Sequence, residues 1–312
     1  MIISASRRTD IPTYYSDWFL NRIKEGFVYV RNPVNIHQIG KIALTPDVVD
    51  GIVFWTKNPL PIINRLDELK DYIYYFQFTL NAYGKDVEPN VPPKNNVIIP
   101  AFQKLSRKIG KDRVIWRYDP IFFNEVYTPE YHLKYFKMLV DRLKGYTEKC
   151  TVSFLDFYRK TKKNTSQLKI TVPTLEQKEA LLRQFYEISE TAGIHIDTCA
   201  EDIDLRKFGI TGACCIDKER LERLGGYKLN IKKDKNQRPK CGCIESIDIG
   251  AYDTCKNGCL YCYANYSQDT VSKNHSLHNP NSPILFGNIT DIDLIKVRNV
   301  KSYREGQMDL FG

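Results

Sequence analysis

The 312-residue sequence predicts an α/β protein: a parallel (βα) barrel-like core, its sheet open or closed, followed by a cysteine-rich segment. Three observations predict it. Short apolar segments rich in Ile, Val, Phe and Tyr recur with helical stretches between most of them, as buried parallel strands do. Polar and charged residues gather just after those segments, where parallel folds bind their ligands. Five of the nine cysteines fall between Cys241 and Cys262.

The first strand is expected over residues 2–6, and Arg7-Arg8-Thr9-Asp10 follow it. A helix is expected over Ser16–Glu25, ended by Gly26. Two apolar runs, residues 27–30 and 39–44, flank Asn32-Pro33 and predict an inserted hairpin. Further strands are expected over Gly51–Thr56 and residues 72–80, 113–118, 150–156 and 194–199. A helix over residues 129–144 sets Leu133, Phe136, Leu139, Val140 and Leu143 on one face. Another, over residues 174–192, opens on a Thr cap with Gln177 three residues on and closes at Gly193. The helical pattern weakens after Leu224, and residues 225–240 read as a polar linker or mobile loop. The expected division is a core at 1–225, a cysteine-rich segment packed on it at 226–290, and a tail at 291–312.

Forty-two per cent hydrophobic and 27% charged residues suit a water-soluble globular chain. No apolar run approaches a membrane span, and the N-terminus lacks the order of a signal peptide. A cytoplasmic location without membrane partners is therefore expected. In a reducing compartment, clustered cysteines favour metal or cluster ligation over disulfides. Cys150, within an apolar run, reads as a core thiol. The net charge of +9 suits an anionic partner. Two basic runs, Lys160/Lys162/Lys163 and Lys232/Lys233/Lys235, are candidate phosphate contacts or simply solvated loops.

The strand ends carry Ser6 to Asp10, Thr56-Lys57-Asn58, Arg117-Tyr118-Asp119, Asp156 with Tyr158, and residues 197–202 ending at Asp202. Helix capping explains Asp and Thr at such places, but not Arg7, Arg8, Lys57 or Arg117. A shared site is expected, with Arg7, Arg8, Asp10, Lys57, Arg117 and Asp119 as candidate catalytic residues.

Cys255, Cys259 and Cys262 are spaced C-x3-C-x2-C around Gly258. Three thiolates on one loop can hold three irons of a [4Fe–4S] cluster and leave the fourth open to a small molecule. Zinc competes for the same sulfurs, with His275 or His278 as a fourth ligand. Cys199, Cys215 (or Cys214), Cys241 and Cys243 could form a second site for another [4Fe–4S] cluster or zinc; otherwise they are reduced thiols.

The triplet, with Tyr261 just before its last cysteine, resembles the cluster loop of radical S-adenosylmethionine enzymes. The whole chain resembles the DUF1848 family, whose C-terminal cysteines are regarded as similar to that loop. The resemblance rests on the strings Ile3 to Pro12, Val53 to Pro59, Val114 to Pro120 and Asp248 to Cys255. It implies a [4Fe–4S] cluster, S-adenosylmethionine and a reducing electron donor, but no substrate. Radical-SAM enzymes carry the loop early, and here it is late. A strand at residues 246–252 beside the N-terminal strand would make a circularly permuted partial TIM barrel. The usual Gly-Gly-Glu stretch facing the methionyl amine is absent. Ser6, Thr9 and Asp10 would stand there, with Arg7 or Arg8 for the carboxylate and Tyr261 at the aromatic position. This role for Asp10 requires it to be more than a helix cap.

The last residues, Gln307-Met308-Asp309-Leu310-Phe311, resemble the peptide by which bacterial repair proteins dock on the DNA sliding clamp. The reading is thus a radical-SAM-like enzyme that cleaves S-adenosylmethionine and acts on an anionic substrate, with DNA or RNA repair or modification as its setting. Two alternatives remain: a zinc-stabilised nucleic-acid-binding protein, and a hydrolase using the strand-end carboxylates.

Overall fold

The computed structural model describes residues 1–305 apart from Tyr158, Ala200, Asp202 and Asp204. The clamp-like peptide Gln307–Phe311 and the strand-end residues Tyr158 and Asp202 lie outside the described residues.

In chain order the strands are β1 (Ile2–Ala5), β2 (Phe27–Arg31), β3 (Gln38–Ala43), β4 (Gly51–Thr56), β5 (Tyr74–Thr79), β6 (Val114–Ile121), β7 (Lys149–Phe154), β8 (His195–Thr198), β9 (Thr211–Gly212), β10 (Ile247–Asp248) and β11 (Leu294–Val297). The α-helices are α1 (Ile11–Tyr14), α2 (Ser16–Glu25), α3 (Leu60–Ile63), α4 (Ile99–Ile109), α5 (Pro129–Leu143), α6 (Arg159–Asn164), α7 (Leu175–Glu190), α8 (Lys218–Gly225) and α9 (Gln268–Ser276). Every strand expected from the sequence is present within a few residues, and so is each of the three expected helices. Thr174 closes a full capping box with Gln177 at the start of α7.

Eight strands form one sheet in the order β10-β1-β4-β5-β6-β7-β8-β9, with every neighbouring pair parallel. The late strand beside the N-terminal one exists: Ile247 pairs with Ile3, and Asp248 with Ser4. Among the described residues, β10 and β9 remain edges and do not pair. Each is only two residues long. Chain from the cysteine-rich segment lies next to the β9 edge instead, where the Ile244 N–H donates to Ile216 O at 3.2 Å.

Alternation along the strands explains the two layers. Ile3, Phe54, Phe76, Trp116 and Val152 pack with Trp18, Phe102, Phe136 and Phe185 of the helices. Phe136 stacks on Phe185 with ring centroids 3.8 Å apart. Cys150 is wholly buried in this core, as expected of an inert thiol. The alternate residues Ile2, Val53, Tyr75 and Ile115 pack with Ile216, Leu221, Leu229, Cys241, Cys243 and Ile244. The stretch 225–240, expected as a linker or mobile loop, is therefore anchored: Leu229 is wholly buried, and Asn230 N donates to Tyr303 O. Its polar composition hid this, because one buried Leu and backbone hydrogen bonds do the anchoring.

The expected hairpin is β2–β3, antiparallel, and β11 joins it in parallel beside β3. Part of the stretch read as a tail is thus strand. Beyond it, Asp50, wholly buried, accepts from Ser302 Oγ, Tyr303 N and the Met1 amine.

Candidate functional site

The carboxyl ends of the sheet open into a cavity of about 620 Å³. Strand by strand, its wall takes Ser6 to Asp10 after β1, Thr56 and Lys57 after β4, Thr79 from β5, Arg117 and Asp119 from β6, and Ser153 and Phe154 from β7. The cysteine-rich segment supplies Cys241 and Cys243, and the loop after β10 supplies Cys255, Tyr261 and Cys262. The structure therefore brings every candidate catalytic residue to one cavity. It does the same for Cys199 and Cys215.

At the β10 end one carboxylate organises the wall. Asp248 accepts from Ser4 Oγ (2.7 Å), Ser6 Oγ (2.6 Å), Arg7 N (2.8 Å) and Gly250 N (3.0 Å). Gly250 has no room for a side chain: a Cβ would sit 2.2 Å from Ser6 Oγ. Ser6 is therefore spent on structure. Asp10 caps α1 through Thr13 N (3.1 Å). Its other oxygen accepts from Lys57 N (2.8 Å) and Asn257 Nδ2 (3.1 Å), tying β1 and β4 to the cysteine loop. It is more than a cap, but both its oxygens are engaged. Burial pushes its carboxyl up, against these hydrogen bonds. Two buried polar atoms in this stretch have no hydrogen-bond partner: Thr9 Oγ1 and Arg7 Nη2. Arg7 lies over the Trp55 ring at 5.2 Å, and Arg8 over Tyr252 at 5.1 Å.

Behind the cysteine loop, Glu88 accepts from Lys57 Nζ (2.7 Å) and lies 2.7 Å from Lys94 Nζ. Burial pushes its carboxyl up, but the two ammonium groups outweigh this and hold it at about 2. The Tyr261 hydroxyl also donates to Glu88. On the β6 side, Arg117 donates to Asp119, to Gln77 Oε1 (3.4 Å) and to Cys215 Sγ (2.8 Å), and Ser153 donates to Asp119. Lys57, Arg117 and Asp119 are thus internally paired.

Does the triplet fit an iron–sulfur cluster? Cys255, Cys259 and Cys262 leave one loop directly after β10, and Cys255 and Cys262 line the cavity. Ala264 N donates to Cys262 Sγ at 3.3 Å. Such N–H···S bonds suit cluster-bound thiolates. Without a metal, burial raises all three thiols, Cys259 to about 12. Three thiols on one loop are the donor type a [4Fe–4S] cluster takes. His275 and His278 do not line the cavity; His275 contacts Tyr15 and Lys256, and His278 meets Leu285 O. Among the described residues, no group of three or more His, Cys, Asp or Glu forms a ready-made site for a single metal ion. Nor is any helix among them long and apolar enough to cross a membrane.

Sequence reasoning missed Asp248 and Glu88. Asp248 opens one of the strings quoted above, so a signal existed; nothing local marks Glu88.

Fold and site define a parallel α/β protein with a thiol-rich cavity at its strand ends. The chain belongs to the DUF1848 family, described as a domain of unknown function, whose profile matches residues 2–264. No curated protein matches the chain.

Proposed function

We propose that the chain is a radical-S-adenosylmethionine-type enzyme acting on an anionic substrate, with a nucleic acid as the substrate class. The carrying observation is one cavity lined together by Cys255, Cys262, Arg8 and Thr9, where the buried Thr9 Oγ1 lacks a partner. On this reading the eight-stranded sheet is an open, permuted form of a (βα) barrel.

Cys255, Cys259 and Cys262 would hold a [4Fe–4S] cluster, and the chemistry supplied by it and S-adenosylmethionine is one-electron cleavage of a sulfonium. The chain's own residues do the rest. Thr9 Oγ1 and the Arg8 guanidinium take the polar end of the cofactor. Asp10 is a positioning residue, fixing Asn257 and the Lys57 backbone. Lys57, Glu88 and Tyr261 stiffen the loop from behind. Arg117, Asp119 and Ser153 form the opposite wall. Asn236 to Arg238 line a further part of the wall. Tyr252, with Arg8 over its ring, and Tyr263 add aromatic surface to the lining.

Anaerobic reconstitution tests the reading. We expect about four irons and four sulfides per chain at the triplet, a resonance signal of the reduced cluster that changes on adding S-adenosylmethionine, and 5′-deoxyadenosine formed under strong reduction. An intact cluster that cleaves nothing sinks the proposal. Zinc at these three cysteines, in a colourless protein, favours the zinc-stabilised nucleic-acid binder instead.

A further inference from the structure

Beyond that reading, we infer a second metal site: a single tetrahedral zinc ion held by Cys199, Cys215, Cys241 and Cys243 in the cavity wall. These cysteines come from three separate stretches of chain: just past β8, just past β9, and the loop before β10. All four are buried, none more than 7% exposed. Cys199 Sγ lies 3.5 Å from Cys215 Sγ. Cys241 and Cys243 line the same cavity as this pair. Four buried thiols gathered on one cavity wall bury no apolar surface that Ala or Val would not bury better, so packing alone does not account for them.

The spacing selects the metal. A tetrahedron of sulfurs about 2.3 Å from zinc has edges of about 3.8 Å, close to the Cys199–Cys215 separation. A cubane holds its thiolates at its outer corners, farther apart. Among the described residues no three of these sulfurs surround one metal-sized point. Binding the ion would require the Cys241 and Cys243 side chains to turn toward the Cys199–Cys215 pair. Gly242 lets the chain between them pass, since a Cβ there would lie 2.5 Å from Cys214 Sγ.

Charge and hydrogen bonding agree. Zinc with four thiolates carries two net negative charges. Arg117 Nη1 donates to Cys215 Sγ at 2.8 Å, and Arg7, whose buried Nη2 lacks a partner, lines the same cavity. Ile216 N donates to Cys243 Sγ at 3.3 Å. Donors of this kind orient and tune metal-bound thiolates. The ion would pin the covering segment to the ends of β8 and β9 and fix one wall of the cavity.

The test is metal content and zinc-edge X-ray absorption on full-length protein purified anaerobically from zinc-supplied cells. The expected result is one zinc per chain with four sulfur neighbours at about 2.3 Å. It should persist in Cys255→Ala/Cys259→Ala/Cys262→Ala, and fall at least fivefold in Cys215→Ser/Cys243→Ser. Wild-type protein without stoichiometric zinc, zinc with nitrogen or oxygen neighbours, or iron and sulfide at this site overturns the inference. The absorption spectrum is read on the wild type, so a misfolded variant cannot mask the outcome. Zinc retained in a triple variant that was never iron-loaded separates this inference from the cluster proposal.

Discussion

His132 on α5 is buried, with Nε2 2.9 Å from Phe122 O and Nδ1 2.8 Å from Tyr118 OH. The carbonyl can only accept, so Nε2 carries a proton; burial disfavours a second one, which leaves Nδ1 to accept from the Tyr118 hydroxyl. Burial lowers its pKa from 6.5 to about 4, only partly offset by the bond to Phe122. A His with a depressed folded pKa opposes folding once the unfolded chain can protonate. Its contribution is complete above pH 6.5 and is lost as pH falls from there towards 4. Between pH 7.5 and 5 this amounts to about 2 kcal/mol. Urea unfolding of wild type and of the non-titrating His132→Gln at both pH values checks it. The wild type should lose about that much more stability than the variant; equal losses would show that His132 is not held neutral.

At the scale of elements, β10 is two residues long yet carries the cysteine loop. Its hold on β1 comes less from strand pairing than from Asp248, which gathers four donors. Asp248→Asn keeps the shape but sets an NH₂ against two of them, at a cost of about 1–3 kcal/mol for each donor left unpaired. We expect a lower melting temperature and a cluster that fails to reconstitute fully, while far-ultraviolet circular dichroism stays near wild type. Full iron loading in this variant would show that the loop does not depend on Asp248. The strands were legible because each is a short run of Ile, Val, Phe and Tyr, and α5 and α7 because their apolar period and caps agree. Asp10 shows the limit of such reading: the sequence marked it as polar and strand-terminal, but not that both its oxygens are taken. Glu88 was not legible at all, since its partners Lys57, Lys94 and Tyr261 are joined only by the fold. Open against closed was equally beyond reach: the strand at 246–252 was legible, but β9, two residues long, leaves no sequence pattern to say where the sheet ends.

At the scale of the molecule, the +9 charge is not spread blindly. Lys162 and Lys163 on α6 are exposed beside Thr161, which lines the cavity. Asn164 Nδ2 reaches Asn265 O past the cysteine loop, and Lys163 sits over the exposed Tyr266 ring at 4.6 Å. The second basic run leads into Asn236, Gln237 and Arg238, also in the cavity wall. Both runs thus adjoin wall residues in sequence, and on the proposed reading a polyanion would be held there. For a single strand making about three phosphate contacts, raising salt from about 50 to 200 mM should weaken binding about 20-fold. Lys162→Ala/Lys163→Ala should remove up to two of those contacts, flatten the salt dependence and cost no more than about 1 kcal/mol of stability, since Lys162 is exposed and Lys163 loses only its contact with Tyr266. Fluorescence anisotropy with a labelled oligonucleotide across a salt series measures this. A slope that is the same with and without these lysines would place the anionic partner elsewhere on the surface, and would leave the cavity to a small-molecule substrate.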